Sequence, residues 1–336
     1  MLGGVTFRWL TVFLDFPAAG FGPGIAFWRA VTRAGLSPFR GPGGEFATLL
    51  PPSGDAYLRV QRVLAGDGGY HLDLHVDTAD GALQALDAAA DLAVVLGATV
   101  RHREAGEVIV ADSPGGFTFC LVRWEGERAV PAPQTVDGSA DGSGVSRVDT
   151  LCLDIPPDLF ASESAFWAAL TGQAPQPAPV PGFAYLSGPA ATGMPVRLLL
   201  QRLEEAAAGQ RVRGHIDLGC TDRNAAVAWH VDHGARVTGT FQYWTVLTDL
   251  AEHEYCLVGR PPWKQELRNA GFRRAPGRIG AGRHRLLAGH AVQYAVSRQP
   301  VSVPEFTIAV GEFRPGARVA VLSEGPDRLA RSGRGH

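Results

Sequence analysis

Imidazole and carboxylate groups that share one face can ligate a metal or move a proton. This chain sets such a row on one strand. His71, Asp73 and His75 alternate with Leu72 and Leu74. Alternate residues of a strand point the same way, so the three share a face. Either that face lines a cavity or the strand lies exposed. His215 and Asp217 repeat the same His-apolar-Asp-Leu order. His230 and His233 flank Asp232 on an expected helix, where a solvated surface is the plain reading. Cys120, Cys152, Cys220 and Cys256 form no Cys-x-x-Cys pair. Each sits in an apolar run, so each is expected as a small buried hydrophobe. Gly41–Gly44 lacks the Lys-Ser/Thr that a phosphate-cradling loop needs. Gly142-Ser143-Gly144 is not a nucleophile elbow, and serine hydrolase chemistry has no support.

The elements that must position these groups occur twice. Ala26-Phe27-Trp28 matches Ala165-Phe166-Trp167, and Leu14–Pro17 matches Leu153–Pro156. Val60–Val63 matches Leu200–Leu203, His71–Leu74 matches His215–Leu218, and Phe119–Val122 matches Tyr255–Val258. Five matches in one order argue for tandem duplication. In the first copy the pattern predicts a strand over Thr6–Phe16 and then a helix opened by Pro23 and ended by Gly35. Strands follow near Glu45–Leu50 and Tyr57–Val63. A second strand, His71–Val76, leads to a helix over Ala82–Leu96 closed by Gly97. Three strands near Val100–Arg103, Glu107–Ala111 and Phe117–Val122 complete the copy. In the second copy, strands are expected to begin near Val148, Phe183, Val196, His215, Arg236, Tyr243 and Glu254. Its helices are expected near Glu163–Leu170 and Arg223–His233. Halves of this kind pair into a cupped, mostly antiparallel sheet with helices outside. The concave face is the natural ligand site. Trp28 and Trp167 are expected to pack against the sheet, and Trp244 to pack in the core.

The chain has 336 residues, 46% of them hydrophobic and 19% charged. That length suggests two domains. The composition excludes a disordered, collagen-like or disulfide-framed chain. The net charge of −2 hides an asymmetry. Residues 1–258 carry −11 and residues 259–336 carry +9, so an acidic body precedes a basic extension. The expected boundaries are domain 1 at 1–128, a linker at 129–145, domain 2 at 146–260 and the extension at 261–336. Within the extension a helix is expected over Trp263–Phe272. Short strands are expected near Ala291–Ser297, Glu305–Val310 and Arg318–Leu322, with a disordered end over Arg328–His336. Its Arg/Gly part lacks interleaved aromatics, so docking on the acidic body is favoured over nucleic-acid binding. No apolar run reaches the 18 residues of a membrane span, and no signal peptide is read. A cytoplasmic location is expected.

The ordered motifs quoted above resemble the vicinal oxygen chelate superfamily. The resemblance is strongest to its actinobacterial glyoxalase-like and bleomycin-resistance-like tandem proteins, and it covers roughly residues 5–258. It implies an α+β fold of two tandem cupped βαβββ-type domains. It also implies a small-molecule ligand, and metal ligands at four strand positions of each cup. Carried over, the second copy offers Val148, Gln201, His215 and Glu254, and the first offers Trp9, Gln61, His71 and Thr118. Val148 and Trp9 cannot ligate, and Thr118 stands where a Glu is expected. The implied metal set is therefore Gln201, His215 and Glu254, for a divalent Zn, Ni, Mn or Fe in domain 2. The first copy is expected to bind no metal. Glu254 would be metal ligand or general base and His215 a ligand. Trp9, Gln61, His71, Gln201 and Tyr243 would line ligand sites. The implied function is small-molecule binding, with a metal-assisted lyase, isomerase or dioxygenase-type reaction in the second cup. The alternative is a metal-free protein that sequesters a drug or metabolite, in which His215 and Gln201 are hydrogen-bonded pocket lining. No membrane partner is expected, and a homodimer is left open.

Overall fold

The computed structural model of the chain describes residues 5–78, 81–140, 142–191 and 193–263. Of the elements expected in the basic extension, all but Trp263 lie outside these residues. The first half runs β1 (Phe7–Pro17), α1 (Ala18–Thr32), β2 (Gly35–Leu36), β3 (Phe46–Leu50), β4 (Leu58–Val63), β5 (Gly69–Val76), α2 (Ala82–Val95), β6 (Thr99–Glu104), β7 (Val108–Asp112) and β8 (Thr118–Arg123). After a two-residue strand, β9 (Gln134–Thr135), the second half repeats the order. It consists of β10 (Val145–Ile155), α3 (Phe160–Thr171), β11 (Ala174–Pro177), β12 (Phe183–Ser187), β13 (Arg197–Arg202), β14 (Arg213–Cys220), α4 (Arg223–Asp232), β15 (Arg236–Thr240), β16 (Trp244–Thr248) and β17 (Glu254–Gly259).

The two sheets share one topology. The first has the order β2-β3-β4-β1-β5-β8-β7-β6, and the second β11-β12-β13-β10-β14-β17-β16-β15. Each is mostly antiparallel, with parallel pairs at β1–β4 and β5–β8 and their counterparts β10–β13 and β14–β17. β1 and β10 sit at the centre and are buried on both faces; β1 is mostly apolar, whereas β10 also buries Ser146, Arg147, Asp149 and Thr150. Leu10, Val12, Leu14 and Phe16 enter one hydrophobic core that runs through both halves. Thr11, Phe13 and Asp15 take the opposite, concave face.

The helices cross between the halves. Trp28 of α1 stacks edge-on against Tyr255 of β17, with ring centroids 5.0 Å apart. Its indole N–H donates to Asp249 at 2.7 Å. Reciprocally, Trp167 of α3 packs edge-on against Phe119 of β8 at 5.4 Å. The buried Glu163 of α3 accepts from Ser113, from the backbone N–H of Gly115 and from Trp167. Each tryptophan thus packs on the sheet of the opposite half.

Several local expectations change. α1 begins at Ala18, five residues before Pro23, and ends at a left-handed Arg33 (φ 53°), with Gly35 already in β2. Gly20 and Gly24 matter instead, because a Cβ there would meet Ala251 at 2.8 Å and the Phe16 ring at 2.7 Å. The outer strands β2 and β11 escaped the pattern, being two residues long and proline-bearing respectively. His230 is not on the surface: it is fully buried against the Tyr255 hydroxyl at 2.9 Å. Burial holds its imidazole near a pKa of about 3, so it is neutral. All four cysteines are free and buried.

Candidate functional site

In each half the concave face carries a carboxylate–imidazole–carboxylate row across the two central strands. In the first, Phe13 opposes His71 and Thr11 opposes Asp73. In the second, Cys152 opposes His215 and Thr150 opposes Asp217. His71 Nδ1 lies 2.6 Å from Asp15 Oδ2, and its Nε2 lies 3.9 Å from Asp73 Oδ1. His215 Nδ1 lies 2.8 Å from Asp154 Oδ2, and its Nε2 lies 3.4 Å from Asp217 Oδ1. A glutamine adjoins each row. Gln61 pairs in register with Asp15, and Gln201 with Asp154. A cysteine closes each row, Cys120 beside Asp73 and Cys256 beside Asp217.

Burial disfavours a charged imidazole, but the flanking carboxylates outweigh it. Asp15 and Asp73 raise His71, and Asp154 raises His215 well above its ordinary value. Burial pushes the Cys256 thiol up to about 11 and raises Cys152 as well, so both are protonated thiols near neutral pH.

What lies over the row separates the two cups. In the first, the Phe13 ring stacks on His71 with centroids 4.3 Å apart. Arg59 reaches over Phe13 and lies 3.6 Å from Asp73. Val108, Val110, Cys120 and Val122 fill the adjoining floor. The His71 side chain is left 3% exposed. In the second, the register equivalents of Phe13 and Arg59 are Cys152 and Leu199. These are smaller and uncharged, and the His215 side chain is 16% exposed. Glu127 crosses the far end of the first cup, its carboxylate 3.4 Å from His75. In the second, Arg260 forks onto the fully buried Asp149 at 2.5 and 2.7 Å.

The second sheet curls until its opposite flanks meet. Phe183 of β12 and Trp244 of β16 are five strands apart, yet their ring centroids lie 5.9 Å from each other. Both share the concave face, by pairing with Gln201 and Val258. They form an aromatic roof between the two flanks of that face.

The predicted site residues divide accordingly. The structure brings His215 and Gln201 onto one concave face, with Cys152 Sγ 3.6 Å from Gln201 Oε1. Glu254 shares that face with Cys256 but is exposed at the start of β17, and its carbonyl accepts from the Tyr70 hydroxyl. The groups that cluster around His215 are Cys152 with Asp154, and Asp217 with Cys256; Glu254 is in neither. Val148 is buried in the core. Trp9 is not an open pocket wall: it is fully buried and donates to the Ala56 carbonyl at 3.2 Å. Tyr243 is 51% exposed on the turn before β16. Gln61 and His71 are buried in the first cup, and Thr118 donates to Asp112. Sequence reasoning gave no site role to Asp15, Asp154, Asp217 or Cys256. Their signal was present, because Leu-Asp-apolar-Pro and His-apolar-Asp-Leu both recur in the two copies.

The family profile for a glyoxalase-like domain matches residues 11–122 and again 150–258, more than half of the chain. The chain belongs to the glyoxalase-like domain family. It is a tandem protein of the vicinal oxygen chelate superfamily with an α+β fold. No curated protein matches it in sequence. Among solved structures, the glyoxalase-like chain is similar to 2,2',3-trihydroxybiphenyl 1,2-dioxygenase from Sphingomonas wittichii strain RW1. The two are 17% identical, with a TM-score of 0.50, over 81% of this chain and 97% of that one. It is similar also to a variant of homoprotocatechuate 2,3-dioxygenase from B. fuscum, at 11% identity and a TM-score of 0.51, over 80% and 75% of the two chains. A 2,3-dioxygenase from Pseudomonas sp. KL28 has 12% identity and a TM-score of 0.50, over 81% and 98%. At these identities the likeness concerns the fold of the glyoxalase-like halves.

Proposed function

We propose that this protein binds a small organic molecule in its second cup, directly over His215. The observation that carries the reading is the difference between twin rows. Both cups keep the Asp-His-Asp frame, but Phe13 and Arg59 cover the first, while Cys152 and Leu199 leave the His215 side chain 16% exposed on the face that carries the aromatic roof. A concave, mostly apolar space with a few convergent polar groups is the usual form of a small-molecule site. There, Gln201 and His215 offer hydrogen bonds, and Asp154 fixes the ring through Nδ1.

The donors present also fit a divalent metal. A ring nitrogen of His215, an Asp217 oxygen and Cys256 Sγ lie within 4.8 Å of one another, and Nε2 is the nitrogen nearest Asp217, at 3.4 Å. Bonds of about 2.0–2.3 Å from one ion can span such a set. Asp154 would then orient the ring from behind. When bound, such an ion acts as a Lewis acid that polarises a ligand oxygen. This set replaces the implied Gln201, His215 and Glu254. The metal-free reading has its own support, since both His215 nitrogens already face carboxylates and Cys256 keeps its proton.

Metal content after growth in metal-supplemented medium separates the two readings. One equivalent of a divalent ion per chain, lost in Asp217→Ala, supports the metal-assisted reading. A metal-free chain whose ligand binding still depends on His215 supports the sequestering reading. Ligand binding untouched by His215→Ala contradicts both.

A further inference from the structure

The second cup holds a cation that its neighbours do not neutralise by contact. Arg260 is matched to Asp149 at 2.5 Å. His215 is flanked by Asp154 and Asp217. Arg197 lies on the same concave face, paired in register with Thr150, as is Asp217. Its Nε donates to the Thr150 hydroxyl at 3.2 Å. No carboxylate of the described residues lies within salt-bridge distance of its guanidinium. Its Cζ lies over the Tyr185 ring, 3.6 Å from the centroid, with the Trp263 ring centroid at 6.0 Å. That ring contact holds the group without using its outer N–H groups. Burial and then Arg260 lower its pKa, while Asp149 and Asp217 act on it from beyond contact in the raising direction, and the arginine remains charged.

A half-buried guanidinium held rigid, with its fork unspent, is suited to a planar anion. The roof of Phe183 and Trp244 offers ring faces and edges on the same side. We infer that the ligand of the second cup is an aromatic carboxylate, with Arg197 receiving its carboxylate and the roof holding its ring. This rests on the second cup being the ligand site. The first cup offers no equivalent, because Tyr57 stands at the repeat position of Arg197 and turns its hydroxyl to the Val148 carbonyl at 2.8 Å.

The test uses matched probes on the full chain, followed by calorimetry and tryptophan fluorescence: benzoate with benzamide, phenylacetate with phenylacetamide, and indole-3-acetate with its amide. Benzylamine serves as a cationic control. The expected result is that at least one carboxylate binds about tenfold or more tighter than its amide, worth about 1.4 kcal/mol. Arg197→Gln should abolish that preference at an unchanged melting temperature, and Arg197→Lys should keep part of it. If Arg197→Gln does not fold, the Lys variant and the wild-type carboxylate-to-amide ratio still decide. Equal binding of acids and amides, a preference for benzylamine, a preference surviving in Arg197→Gln, or no carboxylate binding in the millimolar range would each overturn the inference. Carboxylate binding insensitive to His215→Ala would instead place the probe elsewhere, and the second-cup reading itself would fail.

Discussion

His215 and its carboxylates decide what the cup can do. A histidine raised above its ordinary value adds stability that is full below about pH 6.5 and fades as pH rises through the raised value. Two-dimensional NMR should therefore find His215 still protonated at pH 7. Asp154→Asn, which removes the Nδ1 counter-charge, should move its midpoint down. An unmoved midpoint would mean that Asp154 does not hold the ring. His230 works in the opposite sense. Its value of about 3 makes its contribution complete above about pH 6.5 and lost as pH falls toward 3. His230→Phe should flatten the acid limb of a melting-temperature profile, and an unchanged limb would count against a neutral buried ring. At this scale the sequence was only partly legible. His71, His215, Gln61 and Gln201 stand out by repetition and lie on concave faces. Asp154 and Asp217 sit in the same repeated motifs but look like ordinary strand polars until the register sets them beside the ring. Trp9 alternates onto the face of His75, but spacing does not show that it is fully covered there, and Tyr243 falls on the turn before β16, outside the alternation.

Helices α1 and α3 tie the two halves together. Each inserts a tryptophan into the opposite half and ties it to a buried carboxylate, Trp28 to Asp249 and Trp167 to Glu163. Trp28→Phe leaves Asp249 short of one donor. It should cost about 1–3 kcal/mol in urea unfolding. Both halves should still unfold in one transition, followed by fluorescence and by far-ultraviolet circular dichroism. Two separated transitions would show that the crossing helices do not couple them. The repeat and its strand order were readable from matched motifs alone. The crossing was not, since a tryptophan on an apolar helix face reads the same whichever sheet it meets.

For the whole molecule, the start of the basic extension is part of the second cup. Asp149 is fully buried and is held by Arg260 and by the Trp263 backbone N–H. Arg260→Ala strands that carboxylate and should cost roughly 3 kcal/mol by chemical denaturation. A loss under about 0.5 kcal/mol, the size of an exposed ion pair, would contradict the strap. The charge asymmetry of the chain was visible in composition, but this contact rests on one arginine at the edge of the basic stretch. In the proposed function the second cup is the working site, while Phe13 and Arg59 close the first. Calorimetric titration of divalent ions and the aromatic carboxylates into wild type, His71→Ala and His215→Ala tests this most directly. Binding heat kept in His71→Ala and lost in His215→Ala is the predicted result. Heat lost in His71→Ala and kept in His215→Ala would contradict it.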